Sequence, residues 1–137
     1  MSTEETAIKL VEDVLEERGL NRATGFELRD DGTLYNTDGY VLIPAGQMVS
    51  SRWAERVDYN EIELTCQIAY AFTPDRLYEE GIELLAETKT IMRNCEQINV
   101  TLLMAASVYR IMTGKASYEQ VRDGRIVCKF PITITYR

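Results

Sequence analysis

Residues 62–72 read Ile62, Glu63, Leu64, Thr65, Cys66, Gln67, Ile68, Ala69, Tyr70, Ala71, Phe72, every even position large and apolar, every odd one polar or small. Successive side chains of a strand point to opposite faces, so a period of two over this length specifies one long, half-buried β-strand. The same parity returns at the C-terminus, where Ile126, Cys128, Phe130, Ile132, Ile134 and Tyr136 alternate with Val127, Lys129, Pro131, Thr133 and Thr135. Two strands with matching apolar faces are expected to be neighbours. At about 3.3 Å per residue the first spans roughly 36 Å, about twice an ordinary globular strand. Such length is a first pointer to a sheet shared between copies. Pro131 has no N–H to give to a ladder, so there the strand is expected at an edge, at a bulge, or with its nitrogen turned away from its neighbour.

The remaining elements follow in chain order. Ser2, Thr3, Glu4 and Glu5 form a capping box, and Ala7, Ile8, Leu10, Val11, Val14 and Leu15 make the apolar stripe of a helix. Gly19 stands where a left-handed C-cap belongs. Residues 25–43 read as short strands and turns, with turns at Asp31-Gly32 and Asp38-Gly39 and a buried run Tyr40, Val41, Leu42, Ile43 that Pro44 is expected to end. Residues 45–60 lack a clean period and hold the single tryptophan. A loop or hairpin is expected there, and Met48, Val49, Trp53 and Val57 are its candidate interface residues, Trp being a common interface anchor. Packing of Trp53 on its own core is an equal alternative.

Thr73, Pro74 and Asp75 open a second helix, followed at helical spacing by Leu77, Tyr78, Gly81, Ile82, Leu84, Leu85, Thr88, Ile91, Met92 and Cys95. Residues 97–112 are expected to be mainly extended, from the alternation of Ile98, Val100 and Leu102. Residues 117–124 admit two readings, a hairpin at Asp123-Gly124 or one helical turn capped by Ser117. The expected fold is α+β in a single domain spanning 1–137. A mostly antiparallel sheet with long strands at 60–73 and 125–137 packs against helices at 3–18 and 74–94.

Composition narrows the function. A chain of 137 residues suffices for one core and not for two. A formal charge of −7 and a pI near 4.7 argue against a nucleic-acid reader held by phosphate neutralisation. The charge is uneven, +4 over residues 110–137 and −11 over 1–109. That pattern suits head-to-tail contact between copies as well as it suits charges scattered over a solvated surface. The N-terminus is acidic where a secretory leader would be basic and then apolar, and no apolar run reaches membrane length, so a cytoplasmic, non-membrane protein is expected. The three cysteines are odd in number, lack CxxC spacing and fall on apolar faces. They read as buried free thiols, and Asn99-Val100-Thr101 as a sequon without a secretory route.

Catalytic patterns do not assemble. The chain has no histidine, the commonest general base and metal ligand. Thr113-Gly114-Lys115 resembles the end of a phosphate loop, but Tyr109 stands where its first glycine is required and Ala116 where a magnesium-holding hydroxyl should be. Asn36, Thr37, Asp38 and Gly39 resemble part of a calcium loop, but Leu34 occupies the first ligand position. Glu61 and Glu63 could pair as carboxylates, though exposed strand positions explain them more simply. The sequence points to a protein that works through surfaces and is not an enzyme, with no catalytic, cofactor-binding or metal-ligating residue.

The order of elements resembles the tail terminator (tail completion) proteins of long-tailed bacteriophages and related minor tail proteins. The likeness runs over nearly the whole chain: the amphipathic first helix over 5–18, the strand Tyr40-Val41-Leu42-Ile43-Pro44, the irregular loop before the long alternating strand, the helix begun by Thr73-Pro74, and the Asp123-Gly124-Arg125 approach to the terminal strand. The resemblance implies an α+β virion protein, assembled in the host cytoplasm and located in the tail or neck. It would form a homo-hexameric ring on the tail tube protein, stop tube polymerisation and dock to the head–tail connector protein. No cofactor and no catalytic residue come with the family. On that reading the polar face of the long strand lines a channel, and Glu61 and Glu63 are the candidate lumen-facing residues, repelling DNA that passes without specific binding. The alternatives are another neck or tail-tube-associated phage protein and, from a different class, a small-molecule-binding or enzymatic domain using 45–60 as a lid.

Overall fold

In the computed structural model of the chain, which describes residues 2–23, 39–49, 59–71, 77–121 and 125–137, the two alternating runs are neighbours. Strands β2 (Asn60–Ala71) and β5 (Arg125–Tyr136) pair antiparallel from Asn60↔Tyr136 to Ala71↔Arg125 without a register shift. Even residues face even residues, as in Ile62↔Ile134, Leu64↔Ile132, Cys66↔Phe130 and Ile68↔Cys128, so both apolar faces fall on one side. A slip by one residue would turn every one of these side chains to the other face, which is what locks the register.

The other elements build outward from this pair. Helix α1 (Thr3–Glu17) precedes β1 (Gly39–Val49), and β2 is followed by α2 (Leu77–Glu96), α3 (Val100–Ala105), β3 (Val108–Thr113), β4 (Ser117–Val121) and β5. The sheet order is β1-β2-β5-β3, and β4 pairs with β5 alongside β3. The chain is thus α+β with an antiparallel sheet. One buried cluster joins α1 (Ala7, Val11, Leu15), α2 (Ile91, Cys95), Tyr40, and the even residues of β2 and β5. The Ser2 hydroxyl accepts from the Glu5 N–H at 3.1 Å, and α1 stops at Gly19, whose φ of 84° no L side chain adopts cheaply. There Gly19 N–H donates to the Glu16 carbonyl and Leu20 N–H to that of Leu15, the paired bonds of a Schellman cap.

Pro131 sits in the central strand and takes the third of its expected arrangements. Its carbonyl accepts from Gly114 N–H at 3.0 Å, on the side away from Thr65 of β2. The N and C=O of one strand residue point the same way, so the missing donor faces the gap between β3, which ends opposite Ile132, and β4, which begins opposite Lys129. Glycine is required at 114 for this approach, since a Cβ there would lie 2.5 Å from the proline Cγ.

Four expectations change. Pro44 does not end β1 but pairs opposite Leu64, tolerated because among the described residues β1 has a strand neighbour at this position on one side only and Pro44 is exposed. Residues 45–49, within the stretch expected as a loop or hairpin, are strand, continuing β1 antiparallel to β2 across a register shift between Ala45 and Val49. Gly39 is not a turn residue; it opens β1, and a Cβ on it would lie 2.5 Å from the Asn21 carbonyl oxygen, where 21–23 runs beside the strand. Residues 97–112 are not mainly extended. The Asn99 side chain accepts from Thr101 N–H at 2.7 Å and starts α3, which Ser107, at a left-handed φ of 58°, separates from β3. Of the two readings of 117–124, the strand holds for 117–121, which pair with β5. The Thr73-Pro74-Asp75 helix start, the Asp31-Gly32 turn and the tip at Asp123-Gly124 lie outside the described residues.

Candidate functional surfaces

Helices cover one face of the sheet, so any surface chemistry belongs to the reverse face, the sheet flanks and the outer sides of the helices. On the reverse face lie the odd residues of β2 and β5. Here the structure divides what the alternation treated as one wet side. Ala69 and Val127 are fully buried in a second, smaller cluster with Ala23 and Val41 packed against it, and Gln67 and Thr135 are buried too. Glu61 and Glu63 lie towards the other end, both half-buried, with Thr135 and Thr133 opposite on β5 and Val49 and Ala45 opposite on β1. Glu61 shares a shallow depression of about 330 Å³ with Tyr59, Tyr109, Arg110 and Thr135. The structure therefore brings the two glutamates onto one patch. Of the candidate interface residues, Met48 and Val49 fall in the last part of β1, Val49 opposite Glu61, while Trp53 and Val57 lie outside the described residues.

Tyrosines on the helix-side face hold α1 in place. Tyr40 on β1 donates to the Glu16 carboxylate at 3.1 Å, and Tyr136 on β5 donates to Glu4 at 3.0 Å, so the helix crosses from the β5 end to the β1 edge. Burial, reinforced by Glu12 and Glu16, pushes the Tyr40 hydroxyl well above its ordinary range, and burial with Glu4 pushes Tyr136 up to about 12. Arg18 at the end of α1 grips Glu87 of α2 through both carboxylate oxygens, with Nε to Oε1 at 2.8 Å. That hydrogen bonding lowers the Glu87 carboxyl below its usual range. One flank of α1, with Leu10, Val14 and Glu17, lines a groove against Gln97, Ile98 and Leu102. The opposite flank, with Glu5, Ile8, Glu12 and Glu16, lies on the β1 side.

The surface that sequence reasoning missed is on the far side of α2. Leu84, Thr88, Ile91 and Cys95 form its buried stripe, whereas Tyr78, Ile82 and Leu85 are 80%, 50% and 54% exposed on an adjacent one. The signal was present in the sequence, because the apolar positions of this helix cover too wide an arc for a single core-facing stripe. Below this second stripe a groove of about 550 Å³ runs between α2 and the β3–β4 flank, lined by Leu85, Met92, Tyr118, Lys89, Arg93 and Thr113 among others. Among the residues whose burial is described, every exposed large hydrophobic residue lies in α2, α3, β3 or β4, including Val100, Met104, Tyr109 and Met112.

The interior offers little nucleophilic chemistry. Cys66, Cys95 and Cys128 are free and buried, and burial pushes all three thiols up, Cys95 to about 12. Among the described residues no group of three or more His, Cys, Asp or Glu side chains is placed to hold a metal ion, and no helix is long and apolar enough to cross a membrane. No protein-family model matches the chain, and no curated protein matches its sequence.

Proposed function

We propose that the chain is a structural subunit of a bacteriophage tail, a terminator that forms a ring on the tail tube, ends its polymerisation and docks to the head connector. The observation that carries the reading is the concentration of exposed apolar side chains, among the residues whose burial is described, on a few neighbouring elements. Tyr78, Ile82, Leu85, Val100, Leu102, Met104, Tyr109, Met112 and Tyr118 all lie on α2, α3, β3 and β4. A monomer rarely exposes so many large apolar side chains on one set of elements, and such patches are where proteins meet. The order of elements supplies the phage assignment, and the half-buried patch of Glu61 and Glu63 on the reverse sheet face is suited to a lumen that DNA must pass without sticking. The work assigned to the chain is done by surfaces and requires no catalytic residue.

Negative-stain imaging of the purified protein, alone and added to isolated tail tubes, tests this. Rings with a central hole are expected in at least one preparation. Particles no larger than a single 15.7 kDa chain in both would overturn the reading.

A further inference from the structure

Two lateral surfaces among the described residues, each built on one helix, carry local clusters of opposite charge. On the β1 side, the outer flank of α1 presents Glu5, Ile8, Glu12 and Glu16, spaced three or four residues apart and therefore aligned in a single ridge. Glu5 and Glu16 are exposed, Ile8 and Glu12 are half-buried, and Glu16 is held in place by the Tyr40 hydroxyl. On the opposite side, the groove between α2 and the β3–β4 flank has an apolar floor of Leu85, Met92 and Tyr118. Above it stand Lys89 and Arg93, with Lys115 in the link between β3 and β4, all three exposed and without an ion-pair partner among the described residues. Glu96, the acidic residue of the groove lining, is already engaged by the Thr113 hydroxyl, which donates to it at 2.6 Å.

We infer that this groove is the docking site for a second copy of the chain, which enters with the acidic ridge of its α1. Ile8 would meet the floor formed by Leu85, Met92 and Tyr118, and Glu5, Glu12 and Glu16 would meet Lys89, Arg93 and Lys115. The argument is local charge complementarity between two surfaces of one molecule: an apolar centre with Lys89 and Arg93 on its lining and Lys115 nearby in the chain on one, an apolar residue flanked by carboxylates on the other. The surfaces lie on opposite sides of the protomer, so the contact is head-to-tail and leaves each copy free to bind another at either end. Such an interface closes into a ring when its rotation closes. The inference rests on the self-assembly contained in the proposed function, and names the faces that carry it.

The test uses the full-length chain and two charge-reversed variants, K89E/R93E and E12K/E16K, weighed by light scattering, with circular dichroism to confirm that each is folded. Wild type is expected above the 15.7 kDa monomer mass at low salt and to lose mass towards about 1 M salt, where the screening length falls to about 3 Å. Each variant alone is expected at monomer mass. A mixture of the two is expected to regain the wild-type mass, because in an alternating assembly every contact again joins opposite charges, an acidic ridge to a basic groove and a reversed ridge to a reversed groove in turn. A wild-type chain that stays monomeric at low salt, reversal variants that assemble like wild type, or folded variants whose mixture stays monomeric would each overturn the inference. Rings on tail tubes formed by the variants would overturn these faces while leaving the tail-terminator reading standing.

Discussion

Cys95 on the buried stripe of α2 and Cys66 and Cys128 on the sheet lie close enough that Cys66 feels the other two, and burial holds all three as neutral thiols. Their reactivity is therefore set by opening of the fold. A thiol reagent should modify folded protein on the order of 1,000-fold more slowly than protein in denaturant, with three thiols appearing only on unfolding. Prompt stoichiometric labelling of the native chain would contradict that placement. Tyr136 carries the reciprocal lesson about pH. Its folded pKa of about 12 lies above the ordinary tyrosine value of 10.0, so the neutral hydroxyl is the form the fold favours. The resulting stability is fully present below about pH 10 and disappears as pH rises towards 12. Tyr136→Phe should flatten the loss of stability in that window, as read by denaturant midpoints at successive pH values, and should cost about 0.5–1.5 kcal/mol at neutral pH for the lost bond to Glu4. Tyr40 and Tyr70 are raised as well, so part of the alkaline slope should remain.

At the level of elements, the junction between β3 and β4 shows how one local compromise supports a long strand. Pro131 can stand in the middle of the sheet because Gly114 brings the backbone past it with no side chain in the way. Gly114→Ala should destabilise by about 1–3 kcal/mol through overpacking against the proline ring. Removing the ring in the double variant with Pro131→Ala should recover part of that cost. Additive losses in chemical denaturation would mean that the two residues do not interact. The α3 segment teaches a different point. Ile98, Val100 and Leu102 alternate like a strand, but Asn99 is a strong helix cap and α3 is too short for its period to stand out. Similarly, Pro44 was legible as a strand breaker only for an interior strand, and nothing in the local residues states that, among the described strands, β1 stands at the end of the sheet order.

On the scale of the molecule, strand length has a plainer use than a sheet shared between copies. Ile62, Leu64, Cys66 and Ile68, and the even residues from Cys128 to Tyr136, are all buried on the helix-covered side, so the protomer's own core occupies both strands. Among the described residues the outward surfaces include the flank of α2, β3 and β4, α3, the acidic ridge of α1 and the half-buried acidic end of the reverse face. If Glu61 and Glu63 line a channel, E61K/E63K should leave particle assembly intact by electron microscopy and reduce genome delivery by about tenfold or more, as cations bind the passing phosphates. Unchanged delivery with intact particles would remove them from the lumen.

The sequence by itself determined the α+β class, the two long strands, the positions of both major helices, the buried thiols and the cap at Gly19. Each of these depends on a period of two or of 3.6, or on a residue whose backbone preference is local. It placed Glu61 and Glu63 on the polar side of β2 for the same reason. Only the tertiary structure decided that β2 and β5 pair in the register which superposes their apolar faces. Only it decided that part of the reverse face is buried at Ala69 and Val127, and that the second apolar stripe of α2 is left in solvent near three cations with no ion-pair partner among the described residues. A side chain's parity or helical phase is written in its neighbours along the chain. Whether that face is covered depends on which distant segment the fold lays against it.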